Sequence, residues 1–443
     1  MDKQVTGRNS PPVTHDPPNP PTLRTLLRIP HWASRNYCIQ STATVISGLG
    51  NSGALIAAAF AVLHSGGDGT DVGLVAGART CALVVFLLLG GAVADRFPRP
   101  ALMVAANAGN ATSQAFFAAL VLTGSAELWH MMLLAGAGGA AQAFYFPAAQ
   151  GVILSSVGTE HAGRAFAVFR ICLNGANIGG AALGGALTAA FGPGLVLAID
   201  AAAFTVAAVL RTWLTTEGPA PPSTGGVLRD LREGWYEFVS RRWLWAIVVQ
   251  FSVVNAVIVA AEAVYGPLVA DRSLGGAGPW GLAMAAFGAG TLLGGLVMMR
   301  CRPHRPLLTG TFGVFPIALP LAALAVPTPW QVLAIAMLAC GVGLEVFGVS
   351  WMLTLRQEIP QDKFSRISAY DWFGTLVFTP MATALAGPTA EAFGLATALW
   401  AAVALVVVLT AAVLAVPEVR QLTFRAPAPD PGEKAAPAPI PSE

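Results

Sequence analysis

The sequence predicts an all-α integral membrane protein, with twelve transmembrane helices in two pseudo-symmetric six-helix bundles. Three observations predict it. The 443 residues are 55% hydrophobic and 11% charged, with a mean hydropathy of +0.64, whereas a soluble domain carries roughly 25% charged residues. Apolar runs of roughly 20 residues or more, the length that crosses a bilayer, occur twelve times. One polar stretch divides them into two sets of six, and the sets repeat one another.

The first six spans are expected near 38–63, 72–94, 101–122, 128–154, 165–190 and 195–214, giving a first bundle over 36–214. From 215 to 242 the chain turns to Pro, Gly and charge. Within that linker Leu228, Leu231, Trp235, Phe238 and Val239 recur at helical spacing, which predicts an amphipathic helix on the membrane surface. Six more spans are expected near 243–268, 280–299, 307–325, 330–353, 367–390 and 396–416, a second bundle over 243–416. Residues 1–35 are rich in Pro and polar side chains and lack the apolar core of a cleaved signal peptide. They and the Pro- and Ala-rich residues 417–443 are expected to be disordered cytoplasmic tails.

Cations orient the chain. With the N-terminus inside, the inner connections collect Lys and Arg from Lys3 to Lys434, and the outer loops keep only Arg272. The formal net charge of +2 is too small for a nucleic-acid surface, so no nucleic-acid partner is expected. Cys38, Cys81, Cys172, Cys301 and Cys340 contain no C-x-x-C pair, and neither a disulfide framework nor a metal site is expected. The sequence carries no phosphate-cradling G-x-x-x-x-G-K-[ST], and no H-E-x-x-H or G-x-S-x-G in a fitting context. Neither an enzyme nor a bound cofactor is expected.

The repeat shows in particular residues. GGAVADRFPRP, Gly90 to Pro100, follows span two, and GGLVMMRCRPHRP, Gly294 to Pro306, follows span eight about 200 residues later. A similar offset relates Asn51 to Asn255, Arg164 to Arg366, and the LGG at Leu183 to Gly185 to the LAG at Leu385 to Gly387. Internal repeats of this kind build transporters around a site between their halves.

In the first copy, Gly91-x-x-x-Asp95-Arg96-x-x-Arg99 makes a tight turn whose small residues let helices approach and whose cations suit the headgroup region. This spelling resembles the loop motif between helices 2 and 3 of the major facilitator superfamily, where the Asp and Arg belong to a cytoplasmic gate. The resemblance implies the major facilitator fold. It also implies that Asp95 faces the N-terminal end of span eleven while Arg96 or Arg99 pairs with Asp371; solvated surface charges are the plainer alternative. Span five carries Gly175, Gly179, Gly180, Gly184 and Gly185, a small-residue face for close helix packing. It is similar to the glycine-rich span-five motif of exporters in that superfamily, with Gly180 in the place of a proline. FYFPAAQG (Phe144 to Gly151), IDAAAF (Ile199 to Phe204) and SRISAYD (Ser365 to Asp371) resemble the branch that includes enterobactin exporters and macrolide efflux proteins.

Ionisable groups inside apolar runs are costly and mark functional sites. Glu345, in GVGLEVFG of span ten, lies among residues too apolar to solvate a carboxylate, the setting a proton carrier needs. Glu262 is placed in span seven, which lines the central cavity in the resembled family. Arg170 in span five and Arg79 in span two are placed to neutralise a buried acid, and Asp200 falls in the peripheral span six. Asn51 and Asn255 are expected to face one another across the pseudo-twofold axis of a wet cavity, whereas Gln250, Asn174 and Asn177 suit interhelical hydrogen bonds. Trp243, Trp280, Trp330 and Trp400 fit an interfacial aromatic belt.

These features predict a secondary active transporter in the inner or plasma membrane, a multi-pass monomer with both termini cytoplasmic. It would export a small amphipathic or apolar compound of drug, antibiotic or siderophore type. The resemblance makes protons the coupling ion. An importer or uniporter of a small metabolite, and a transport-inactive sensor or assembly partner, are the alternatives on the same scaffold.

Overall fold

The computed structural model describes residues 33–94, 97–157, 161–215, 235–236, 238–301, 303–359 and 361–423. They form helices and, among the described residues, no strand. The first half contains α1 (Arg35–His64), α2 (Gly69–Ala94), α3 (Arg99–Leu122), α4 (Leu128–Ser155), α5 (Ala162–Phe191) and α6 (Pro193–Arg211). The second contains α7 (Arg242–Leu274), α8 (Ala277–Arg300), α9 (Pro306–Ala325) and α10 (Trp330–Glu358). It continues with α11a (Gln361–Val377), α11b (Thr379–Phe393), α12 (Leu395–Leu414) and the short α13 (Pro417–Gln421). Eight of these helices are long and apolar enough to cross a membrane: α1, α2, α6, α7, α8, α9, α10 and α12.

Local chemistry sets the boundaries. Ser34 caps α1 by accepting from the Tyr37 amide at 3.1 Å. Pro193 and Pro306 open α6 and α9, where the missing amide hydrogen costs nothing. Single glycines join α5 to α6 and α11b to α12: Gly192 at φ 82° and Gly394 at φ 84°, conformations a side chain would strain. These two turns are about 200 residues apart, so the repeat extends to backbone conformation.

Helix pairing repeats as well. In the first half α2 packs on α4, α3 on α6, and α1 on both α5 and α6. In the second, α8 packs on α10, α9 on α12, and α7 on both α11 and α12. The halves meet along two seams, α2 against α11b and α5 against α8. Both seams rest on glycine. A Cβ at Gly185 would stand 2.6 Å from the Ala277 carbonyl oxygen and 2.7 Å from Gly281 Cα, and one at Gly73 would stand 2.8 Å from the Thr383 carbonyl oxygen. A Cβ at Gly387 would collide with Gly69 and Thr70. Such contacts bring backbones together in a way any larger residue would prevent.

The glycine face of span five divides its work. Gly180 and Gly184 press against Leu49 and Gly53 of α1, inside the first half, and only Gly185 reaches α8. Gly175 and Gly179 do not serve packing as expected: Gly175 has no neighbour within 4 Å of its Cβ position, and Gly179 only touches Leu49 at 4.0 Å. The tryptophan belt is also partly corrected. Trp400 is exposed, but Trp243 packs edge to face with Trp351, and Trp280 is 1% exposed beneath Gly266. Both sit on the bundle side of their helices, so position near a helix end did not make them anchors. The linker lies outside the described residues except at its end, where Phe238 is buried and its ring and that of Trp235 lie against Tyr370 of α11a. There Phe238 is buried against protein, while Trp235 and Val239 stay exposed.

Candidate functional site

Both seams lie toward the end of the molecule that carries Gly66, Gly192 and Gly394; the chain termini leave from the other end. Toward the terminal end, α11a turns onto α7 and α10, and α5 exposes Arg170, Ile171, Cys172 and Gly175. A cleft between the halves therefore begins beyond the seams. Two charged side chains from opposite halves lie within electrostatic range of one another without forming an ion pair: the exposed Arg170 guanidinium of α5 and the half-buried Glu345 carboxyl of α10. Glycine places Glu345. Gly290 and Gly341 bring α8 and α10 into backbone contact, and a Cβ at Gly294 would stand 2.9 Å from Glu345 Cβ. The second copy of the glycine motif thus lodges the carboxylate.

The first half is tied by two polar clusters. Arg79 of α2 donates through Nη2 to Asn51 Oδ1 of α1 and to Gln142 Oε1 of α4, each at 2.9 Å. It also acts electrostatically on Asp200 of α6, a fully buried carboxylate whose Oδ2 accepts from Gln114 Nε2 at 2.8 Å. Asp200 therefore points inward to α3, although α6 lies at the periphery. The second cluster was not anticipated: Arg211, counted among the loop cations, is fully buried at the end of α6. Its Nε donates to Gln40 Oε1 at 3.0 Å, and its Nη2 to Thr44 Oγ1 at 2.9 Å and Tyr145 OH at 2.7 Å. Hydropathy gave no signal for it, because an arginine ending an apolar run looks the same whether it enters water or turns back into the bundle.

Asn51 and Asn255 do not face one another as expected. Arg79 engages Asn51, and Asn255 Nδ2 donates to the Thr375 carbonyl at 3.0 Å. The Thr375 carbonyl lies just before the break at Phe378, where Pro380 interrupts the helical hydrogen bonds and leaves acceptors for other partners. Ser52 and Asn177 join α1 to α5 at 3.0 Å, and Gln250 and Thr410 join α7 to α12 at 3.1 Å. Glu262 is likewise displaced from the expected inter-half cavity. It lines a small chamber inside the second half, walled by α7, α8, α9 and α10.

Of the gate residues, Asp95 and Arg96 lie outside the described residues, and Gly91 is described only in its backbone. Arg99 is half-buried in the first turn of α3. Asp371 accepts from Trp351 Nε1 at 3.2 Å. It sits well within α11a, which begins at Gln361, and not one turn from a helix start. At the opposite end a polar contact crosses the α2–α11b seam: Glu391 Oε1 accepts from Thr70 Oγ1 at 2.7 Å and from the Thr70 amide at 3.3 Å. Among the described residues no His/Cys/Asp/Glu group is arranged to hold a metal ion.

Comparison with known proteins agrees with this architecture. A family model described as Major Facilitator Superfamily matches residues 41–378. The multidrug efflux pump Tap of Mycolicibacterium fortuitum is 26% identical over 377 residues, covering 80% of this chain and 88% of Tap. The uncharacterized MFS-type transporter YfiS of Bacillus subtilis (strain 168) is 25% identical over 343 residues, covering 74% of this chain and 80% of YfiS. Among solved structures, the nucleoside transporter NupG superposes with a TM-score of 0.68 at 16% identity, over 88% of this chain and 100% of NupG. A bacterial homolog of the lysosomal transporter Spinster, inward-facing and unoccupied, gives 0.67 at 16% identity, over 88% and 97% of the two chains. At these identities the structures speak for the fold alone.

Proposed function

Since the chain belongs to the Major Facilitator Superfamily, a multi-pass membrane transporter family, we propose that it exports a small amphipathic or apolar compound in exchange for protons. Two six-helix bundles, 36–214 and 243–416, rock about the glycine seams, and the cleft opens to one side at a time. With the termini cytoplasmic, as the cation count implies, the end beyond the seams faces the cytoplasm, and substrate loads from that side. Outward direction draws support from the similarity to Tap.

The observation that carries this reading is the placement of Arg170 and Glu345 on opposite halves, beyond the seams and within electrostatic range of one another. A carboxylate facing a guanidinium across a moving cleft has two states that a proton distinguishes. Ionised, it attracts the other half; protonated, it loses that attraction and frees Arg170 for a substrate acceptor. Asp95, Arg96, Arg99 and Asp371 close the cytoplasmic side in the alternate state, with Gly91 allowing the approach. No nucleic acid, metal or cofactor takes part, and the working unit is a monomer in the bilayer.

The test is uptake of fluorescent amphipathic compounds into inside-out vesicles or proteoliposomes with and without an imposed pH gradient. The wild type is expected to accumulate substrate only with the interior acidic. Glu345→Gln is expected to lose the response to the gradient while keeping downhill counterflow. Gradient-driven transport by Glu345→Gln at the wild-type rate would overturn the coupling assignment. Accumulation only with the gradient reversed would make the protein an importer.

A further inference from the structure

The chamber within the second half holds one carboxyl that the cleft does not use. Its walls come from α7 (Ile258, Ala261), α8 (Trp280, Phe287), the face of α9 that carries Ile317 and Leu324, and α10 (Met337, Cys340), with Glu262 the one carboxyl among them. The space suits about one water molecule, too little for an organic substrate. Among the described residues Glu262 has neither a hydrogen-bond partner nor a cation, and Cys340 is the only other titratable group of the lining. Neither α8 nor α9 contributes a titratable group to it, and none of the lining comes from α1, α2 or α11b. A bare carboxylate here would forfeit its hydration without compensation, whereas a neutral carboxylic acid keeps most of its free energy.

The backbone around Glu262 is equally unusual. Ala261–Tyr265 form a π turn, which holds one residue more than an α turn. Converting such a turn to α shifts the register by one residue and rotates the flanking side chains by about 100°. The same turn packs against α1 and α2 of the first half and against α11b, so relative motion of the halves bears directly on it.

We propose that Glu262 is a second proton-carrying carboxyl, filled and emptied through this chamber as the π turn responds to the rocking of the halves, and separate from the Glu345–Arg170 pair. This rests on the proton-exchange reading above. With the chamber closed, the apolar walls favour the neutral acid over the bare carboxylate. When the turn re-registers and water enters, the carboxylic O–H breaks and the proton leaves with that water; on the return stroke the carboxylate takes a proton from water before the chamber closes.

Purified full-length protein is treated with dicyclohexylcarbodiimide, which adds to protonated carboxyls in apolar surroundings, and modification of Glu262 is read by peptide mass at acidic, neutral and alkaline pH. Labelling is expected at acidic pH and is expected to disappear reversibly at alkaline pH, with Glu262→Asp labelling in the same manner. In proteoliposomes Glu262→Gln, checked for monodispersity, is expected to lose gradient-driven transport and keep counterflow. Absence of labelling at every pH, or gradient-driven transport by Glu262→Gln at the wild-type rate, would overturn the proposal. A wild type indifferent to pH gradients would overturn the proton-exchange reading instead, and the labelling titration would then decide the Glu262 site by itself.

Discussion

Arg211 shows how a single side chain holds the first half together at its terminal end. Its guanidinium is fully buried, shares three neutral oxygens from α1 and α4, and lies 4.8 Å from the centroid of the Tyr145 ring. Its Nη1 has no partner, so the cluster has no hydrogen bond to spare. Tyr145→Phe leaves the ring contact but removes the hydroxyl that serves Arg211 and Thr44. That substitution is expected to destabilise the protein by about 1–2 kcal/mol, the cost of a buried charged donor losing an acceptor, moderated because bundle neighbours can re-pair in a membrane. A lowered thermal transition of the purified protein checks this; an unchanged transition would mean that water already serves the cluster. Glu345 and Arg170 belong to the same scale but to a different logic, because their partner lies across the cleft. Arg170→Gln is therefore expected to leave thermal stability near the wild-type value while weakening the response of transport to pH.

At the scale of helices, the seams follow from glycine placement. Gly185 and Gly387 occupy repeat-related positions, and so do Gly281 and Gly77, one pair member on each seam. The LGG and LAG segments were visible as a repeat in the sequence, and the repeat alone placed them at equivalent helix positions. Which face each helix turns inward was not visible. A helix apolar nearly all round carries no stripe to distinguish lipid from protein, and in α7 the scattered Gln250, Asn255 and Glu262 do not make one. For this reason Glu262 fell in the chamber and not in the cleft, and Asn255 turned to Thr375. Gly185→Val is expected to force α5 and α8 apart, an overpacking cost of about 1–3 kcal/mol. The seam end should then open: a single cysteine on the seam face of α8, at Ala277, should gain reactivity toward a membrane-impermeant maleimide. Removal of the Thr70–Glu391 contact by Glu391→Ala should act in the same direction on the α2–α11b seam, more weakly. Protection of Ala277→Cys in both variants would show that the seams are not what closes this end.

For the whole molecule, the central claim is that one end opens as the other closes. The order of helices and the division into halves were legible because bilayer thickness fixes span length and because charge is excluded from the apolar core. The Arg170–Glu345 encounter and the Arg211 cluster were not, since both depend on how helices rotate against neighbours far away in the chain. The two halves pair their helices alike and meet chiefly along the two seams, with α7 also touching α1 and α2, a geometry that lets them tilt without unfolding either. The measurement that tests this most directly is distance spectroscopy on two spin-label pairs in a background lacking the native cysteines. One pair, Gly124 and Pro327, lies at the seam end; the other, Trp213 and Met299, lies at the terminal end, and all four sites are exposed. On acidification or addition of a transported compound, the seam-end distance is expected to lengthen while the terminal-end distance shortens. Two distances that change in the same sense, or that do not change in a protein shown to transport, would contradict alternating access about these seams.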